Sequence, residues 1–105
     1  MRIIELSPED VEKRLAEKTI LLVDVREVNE FQSEKIEGAR NFPLSSFDPK
    51  SLPSPAEADV VFHCGVGKRS AMAVEKCRAS GIDHVTHMQG GLQAWKSGGH
   101  PTTKA

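Results

Sequence analysis

Two uninterrupted apolar runs, Ile20-Leu21-Leu22-Val23 and Val60-Val61-Phe62, constrain the fold of this chain more than any other feature. A strand with one wet face alternates apolar and polar residues, whereas a strand covered on both faces has no such alternation. Thr19 to Val25 and Asp59 to His63 are therefore predicted as inner strands of a covered sheet. Helical patterns lie around them. Ser7-Pro8-Glu9-Asp10 supplies an N-cap, a first-turn proline and acids near the positive helix end, so a helix with Val11 and Leu15 on one face should run to about Lys18. Arg2 to Leu6 reads as a short first strand, and Glu27 to Lys35 as a short helix with Val28 and Phe31 on its inner side. Gly38-Ala39-Arg40-Asn41-Phe42-Pro43 suggests a turn and a brief strand. Pro49, Pro53 and Pro55 make Ser45 to Ala58 mostly loop, with one helical turn at most. A helix from about Ser70 to Ser80 stops at Gly81, Val85 to Met88 is a last strand, and Gly91 to Lys96 a last helix. Strands alternating with helices give an α/β domain with a mainly parallel sheet. The 105 residues suit one core, so a single domain over residues 1–105 is expected.

Charge and composition narrow the function. With 14 Lys and Arg against 15 Asp and Glu the net charge is −1, which argues against nucleic acid as a partner. No apolar run approaches the roughly 20 residues of a membrane span. The first residues lack the sections of a signal peptide, so a cytoplasmic protein is expected, a trimmed mature form being the alternative. In that compartment Cys64 and Cys77 stay reduced rather than paired.

The chemistry is concentrated in Val60-Val61-Phe62-His63-Cys64-Gly65-Val66-Gly67-Lys68-Arg69-Ser70, where a buried strand runs into a glycine loop and the loop into a helix. Ligands of open α/β sheets bind at the carboxyl ends of strands. There the loop N–H groups and the positive end of the following helix make a cradle for an anion, and Gly65 and Gly67 permit the backbone angles it needs. Cys64 stands at the rim of this cradle. A helix N-terminus and nearby cations favour its thiolate, the nucleophilic form. Lys68 and Arg69 add full charges, and an Arg fork suits a multi-oxygen anion. Cations are unfavourable at a helix N-terminus, so their position calls for an anion or a carboxylate to offset them. The plainer readings are an inert core thiol at Cys64 and a solvated helix start at Lys68 and Arg69.

Four motifs in register resemble the rhodanese sulfurtransferases. Cys64, four residues, then Arg69 and Ser70 looks like the family's active-site loop. Asp24-Val25-Arg26-Glu27 with Glu30-Phe31 resembles its first motif, and Gly38-Ala39, Asn41 and Pro43 its second. Gly90-Gly91, Ala94-Trp95 and Pro101 resemble its C-terminal signature. Where the family often has Gly-His-Ile before Gly-Ala, this chain has Lys35-Ile36-Glu37. The resemblance implies a three-layer domain with a five-stranded, mainly parallel sheet flanked by helices. It also implies a sulfurtransferase: Cys64 takes the outer sulfur of a small anionic donor such as thiosulfate, and the persulfide discharges to cyanide or to a thiol, free or on a partner protein. Backbone N–H groups of Gly65, Val66, Gly67, Lys68, Arg69 and Ser70 would hold the persulfide, Arg69 would shape and polarise the pocket, and Asp24 and Arg26 would brace the loops. Neither a cofactor nor a metal is expected. His84 and His87 are three apart without a further ligand cluster, and zinc takes three or four ligands.

The remaining singled-out residues have structural readings: Cys77 as core with Ala73 and Val74, Trp95 as packing, Arg26 as the ion-pair partner of Asp24 or Glu30. His63 either tunes Cys64 or simply fills the strand. Competing functions are a partner-dependent sulfur relay, a cysteine phosphatase or arsenate reductase, and a purely structural domain. The phosphatase loop has five residues between Cys and Arg against four here, and only Asp59 and Asp83 stand as candidate general acids.

Overall fold

The computed structural model describes residues 3–104, so the expected strand start at Arg2 lies outside the described residues. In chain order the elements are β1 (Ile4–Leu6), α1 (Pro8–Ala16), β2 (Leu21–Asp24), α2 (Val28–Ser33), β3 (Arg40–Asn41), β4 (Val60–His63), α3 (Lys68–Ala79), β5 (Thr86–Met88) and α4 (Gly91–Ser97). The five strands form one sheet in the order β1-β5-β4-β2-β3, and every pairing is parallel. The two apolar runs thus become neighbours, with Leu22 beside Val61 and Val23 beside Phe62.

Successive side chains of a strand point to opposite faces, and each face has its own core. Leu22, Val61 and Met88 pack with Val11 of α1 and Leu92 and Trp95 of α4. Val23, Val60 and Phe62 pack on the other side with Ala73, Val74 and Cys77 of α3. This is the three-layer arrangement that the resemblance implies. Full burial of Phe62 contributes on the order of 2–3 kcal/mol of hydrophobic stabilisation. Because all strands run the same way, the ends of β2, β4 and β5 open on one edge of the sheet.

Several details differ from the expectations. α2 is only six residues long, so Phe31 reaches the core while Val28, at its first position, stays 50% exposed rather than facing inward. The segment after β3 holds two short 3-10 turns, Leu44–Ser46 and Pro49–Ser51, not one. The second is capped by the Asp48 side chain, which accepts from the Lys50 N–H. α3 begins at Lys68, two residues before the expected start, because Gly67 itself makes the turn into the helix. No helix among the described residues is long and apolar enough to cross a membrane.

Candidate active site

Cys64 follows the last residue of β4 and is fully buried. Its Sγ accepts the N–H of Gly67 at 3.1 Å and that of Ser70 at 3.4 Å, while the Ser70 hydroxyl lies 3.7 Å away. Gly67 has φ +106°, a left-handed conformation that side chains resist, and that turn points its N–H at the sulfur. The thiol therefore sits on the N-terminal end of the twelve-residue α3, among unpaired helix donors. Burial opposes its ionisation, but the Ser70 amide and hydroxyl with the Gly67 and Val66 amides outweigh that cost, and its pKa falls below the ordinary value. Cys77 shows the opposite case. It has burial without such donors, and its pKa is pushed up to about 11. Both thiols are free.

The two cations take different places. Lys68 is exposed, whereas Arg69 swings onto Glu30 of α2, with Nη1 on Oε1 at 2.7 Å and Nη2 on Oε2 at 3.1 Å. The carboxylate called for by cations at a helix start is thus Glu30, which also accepts the Glu27 N–H at 3.0 Å in a capping box. The Arg69 fork, with the Glu27 amide adding to it against partial burial, holds the Glu30 carboxyl down at about 2. Arg69 passes close to Gly65, where a Cβ would stand 3.3 Å from its Nη2.

Asp24 and Arg26 form a buried fork at the end of β2. Arg26 Nη2 donates to Asp24 Oδ2 at 2.7 Å and Nε to both carboxylate oxygens; Nη2 also reaches the Glu34 carbonyl at 2.6 Å. Asn41 donates to the carbonyls of Asp24 and Arg26. Of the two partners expected for Arg26, Asp24 is the one in contact, and the fork ties the β2 end to the C-terminal end of α2. His63 is fully buried beside it, with Nε2 3.5 Å from Asp24 Oδ2 and Nδ1 3.4 Å from the Cys64 carbonyl. Burial pushes its pKa down despite Asp24, so it stands neutral. Its contacts are with the backbone of Cys64 rather than the sulfur.

Other residues at the site are visible only in three dimensions. The start of α4 holds the loop from below: Leu92 N–H donates to the Cys64 carbonyl at 2.7 Å and Gln93 N–H to that of Gly65 at 3.0 Å. These bonds fix the first two carbonyls of the loop, while the amides of Gly67 and Ser70 further along it point at the sulfur. Gly91 permits the approach, since a Cβ there would lie 2.5 Å from the Cys64 oxygen. A depression of about 390 Å³ lined by Gly65, Leu92, Gln93, Lys96 and Ser97 adjoins the loop. Ser70 Oγ lies 2.8 Å from Nδ1 of His87, a residue weighed in the sequence only as a metal ligand. Among the described residues no group of three His, Cys, Asp or Glu could hold a metal ion.

The family model of the rhodanese-like domain matches residues 7–98, from the N-cap of α1 to the end of α4. The chain belongs to this family. Among its relatives, an uncharacterized protein of Synechocystis sp. is 36% identical over 101 residues; the match covers 96% of this chain but only 56% of that longer protein. A sulfurtransferase of Allochromatium vinosum is 32% identical over 98 residues, covering 92% of each chain. The crystal structure of a rhodanese-related protein from Thermoplasma volcanium superposes with a TM-score of 0.84 at 27% identity, covering 97% of this chain and 99% of that one. The family thus includes proteins of sulfur transfer, and the five-stranded sheet with its flanking helices is the rhodanese fold.

Proposed function

We propose that this chain is a sulfurtransferase that carries sulfane sulfur as a persulfide on Cys64. One observation carries the reading: the buried Sγ of Cys64 receives two backbone N–H groups at the N-terminus of α3. Such donors favour a thiolate before transfer and an anionic persulfide after it. With thiosulfate as donor, the thiolate attacks the outer sulfur, the S–S bond of the donor breaks, and sulfite leaves with its electron pair. The acceptor, a thiol or cyanide, then attacks the terminal sulfur and Cys64 departs as thiolate. Gly65, Val66, Gly67, Lys68, Arg69 and Ser70 form the cradle, and Asp24 and Arg26 brace it through α2. The sulfurtransferase named in Allochromatium vinosum matches over nearly its whole length, which supports this activity over a structural role. Phosphate-ester chemistry has less support, because Arg69 is engaged by Glu30 and only four residues separate it from Cys64.

The test is the intact mass after thiosulfate treatment, in the parent and in Cys64→Ser. The expected result is a gain of one sulfur atom in the parent, lost on adding cyanide and absent in the variant. A parent that gains no sulfur from thiosulfate or from a small-molecule persulfide, with its thiol still free, would sink the reading.

A further inference from the structure

A buried thiol that must ionise needs somewhere to send its proton, and Cys64 has no solvent-exposed surface. Its surroundings offer one continuous path. The S–H is placed to donate to Ser70 Oγ, 3.7 Å away, and Ser70 Oγ lies 2.8 Å from His87 Nδ1. His87 Nε2 is 3.3 Å from Oε2 of Glu5, whose side chain is 55% exposed. The sheet builds this row: β1 is the edge strand, Glu5 stands opposite His87, and His87 stands opposite Phe62 of β4. Ser70 and His87 are buried, so no water competes along the inner part of the path. The groups facing His87 are Glu5 from β1 and Ser70 from α3, with Cys64 one step further.

We propose that Ser70, His87 and Glu5 form a proton relay that delivers the Cys64 thiol proton to the open edge of the sheet. The Glu5 carboxylate favours the tautomer with hydrogen on Nε2, leaving Nδ1 bare to accept from Ser70. In the transfer the Cys64 S–H proton passes to Ser70 Oγ while the Ser70 hydroxyl proton passes to Nδ1. Ser70 ends as it began, Cys64 is a thiolate, and His87 is an imidazolium paired with Glu5. The imidazolium keeps the proton against the Glu5 carboxylate at the open edge, so thiolate and imidazolium stand as a pair bridged by Ser70. Losing either His87 or the Glu5 charge makes the thiolate harder to form. The alternative acceptor for the Ser70 hydroxyl, the Gly67 carbonyl, is farther away at 3.2 Å and cannot take up a proton. His87 and Glu5 are positioning residues, acting on the sulfur only through Ser70. The relay deepens the persulfide reading, which needs a thiolate at the outset.

The test is the rate of Cys64 alkylation by iodoacetamide across roughly pH 5 to 10, read by peptide mass so that Cys77 does not interfere. His87→Gln should move the midpoint up by about one pH unit, a tenfold loss of thiolate at neutral pH. Glu5→Gln should move it the same way by about half a unit, roughly threefold. Glu5 is exposed, so its variant keeps the measurement decisive even if the His87 variant fails to fold. A merely structural role would lower the melting temperature and leave the midpoint in place. Folded Glu5→Gln protein with an unchanged profile overturns the relay. Alkylation needs no sulfur donor: shifted midpoints in a parent that never gains sulfur would remove the persulfide reading and keep the relay, while normal loading with unshifted midpoints would do the reverse.

Discussion

At the scale of single residues, the charge on the loop is largely spoken for. Glu30 takes the Arg69 fork, so the field at the sulfur comes mainly from backbone donors, with Lys68 the exposed cation of the loop. Glu30 and Arg69 are each about a third exposed, and pairs of that kind contribute under about 1 kcal/mol after screening. The sign of the pH effect follows from the direction of the shift. A carboxyl lowered to about 2 contributes stability that is present above its unfolded value, 4.5, and is lost as pH falls toward 2. Thermal unfolding should therefore show Glu30→Gln slightly less stable than the parent at neutral pH, with the gap closing between those two values. A gap that persists at the acid end would mean that the pair is not its source. Arg69→Ala should cost as little in melting temperature yet slow thiosulfate loading more, because it removes a loop charge rather than core volume. Parallel losses of melting temperature and loading would count against that division.

Among the elements, the junction between α4 and the Cys64 loop is the most demanding. Gly91 combines φ +61° with a position where any Cβ would meet backbone, whereas Gly99, at φ +81°, has nothing within 4 Å of its Cβ position. Gly99→Ala should then cost only the strain of the left-handed backbone, about 1 kcal/mol. Gly91→Ala forces the loop to move and should cost about 2–3 kcal/mol, with a fall in Cys64 alkylation measured on the folded protein. Equal effects on stability and no change in alkylation would show that α4 does not set the loop. The same junction marks how far the sequence could be read. β2 and β4 are legible because burial on both faces makes Leu21-Leu22-Val23 and Val60-Val61-Phe62 unbroken apolar runs, with a polar residue only at the last position of each, Asp24 and His63. The strand-loop-helix around Cys64 is legible because its parts are contiguous. The short α2 and the paired turns after β3 are not, since proline spacing marks where a helix fails but not which turn replaces it. At the site, Arg69 meets Glu30 39 residues away and Ser70 meets His87 17 residues away. Such partners are set by sheet order, which no local periodicity encodes. That Lys68 and Arg69 need an anion or a carboxylate beside them could be read from the sequence; that a carboxylate meets Arg69, and that it is Glu30, could not.

For the molecule as a whole, residues 100–103 tie α1, α4 and the end of α2 together on the face away from α3. His100 is held between two acids of α1, with Nδ1 3.0 Å from Glu12 Oε1 and Nε2 3.3 Å from Glu9 Oε2, and its ring lies 4.8 Å from that of Trp95. Trp95 Nε1 donates to the Pro101 carbonyl at 2.8 Å, Thr102 Oγ1 donates to Glu34, and Thr103 makes a two-way backbone bridge with Lys35. Trp95 thus serves as the packing residue its position suggested, buried in the core shared by α1 and α4. Hydrogen bonding to Glu12, opposed by partial burial and reinforced by Glu9, raises the His100 pKa above its ordinary value. A raised imidazole contributes stability that is fully present below the unfolded value of about 6.5 and is lost as pH rises through the higher folded one. The parent should therefore melt above His100→Gln in mildly acidic buffer, and the difference should shrink as pH passes above neutral. Added salt should narrow it too, since Glu9 and Glu12 are exposed. A difference that stays constant across neutral pH would assign the role of His100 to its stacking on Trp95, and the tie between α1 and the chain's last turn would then be apolar rather than ionic.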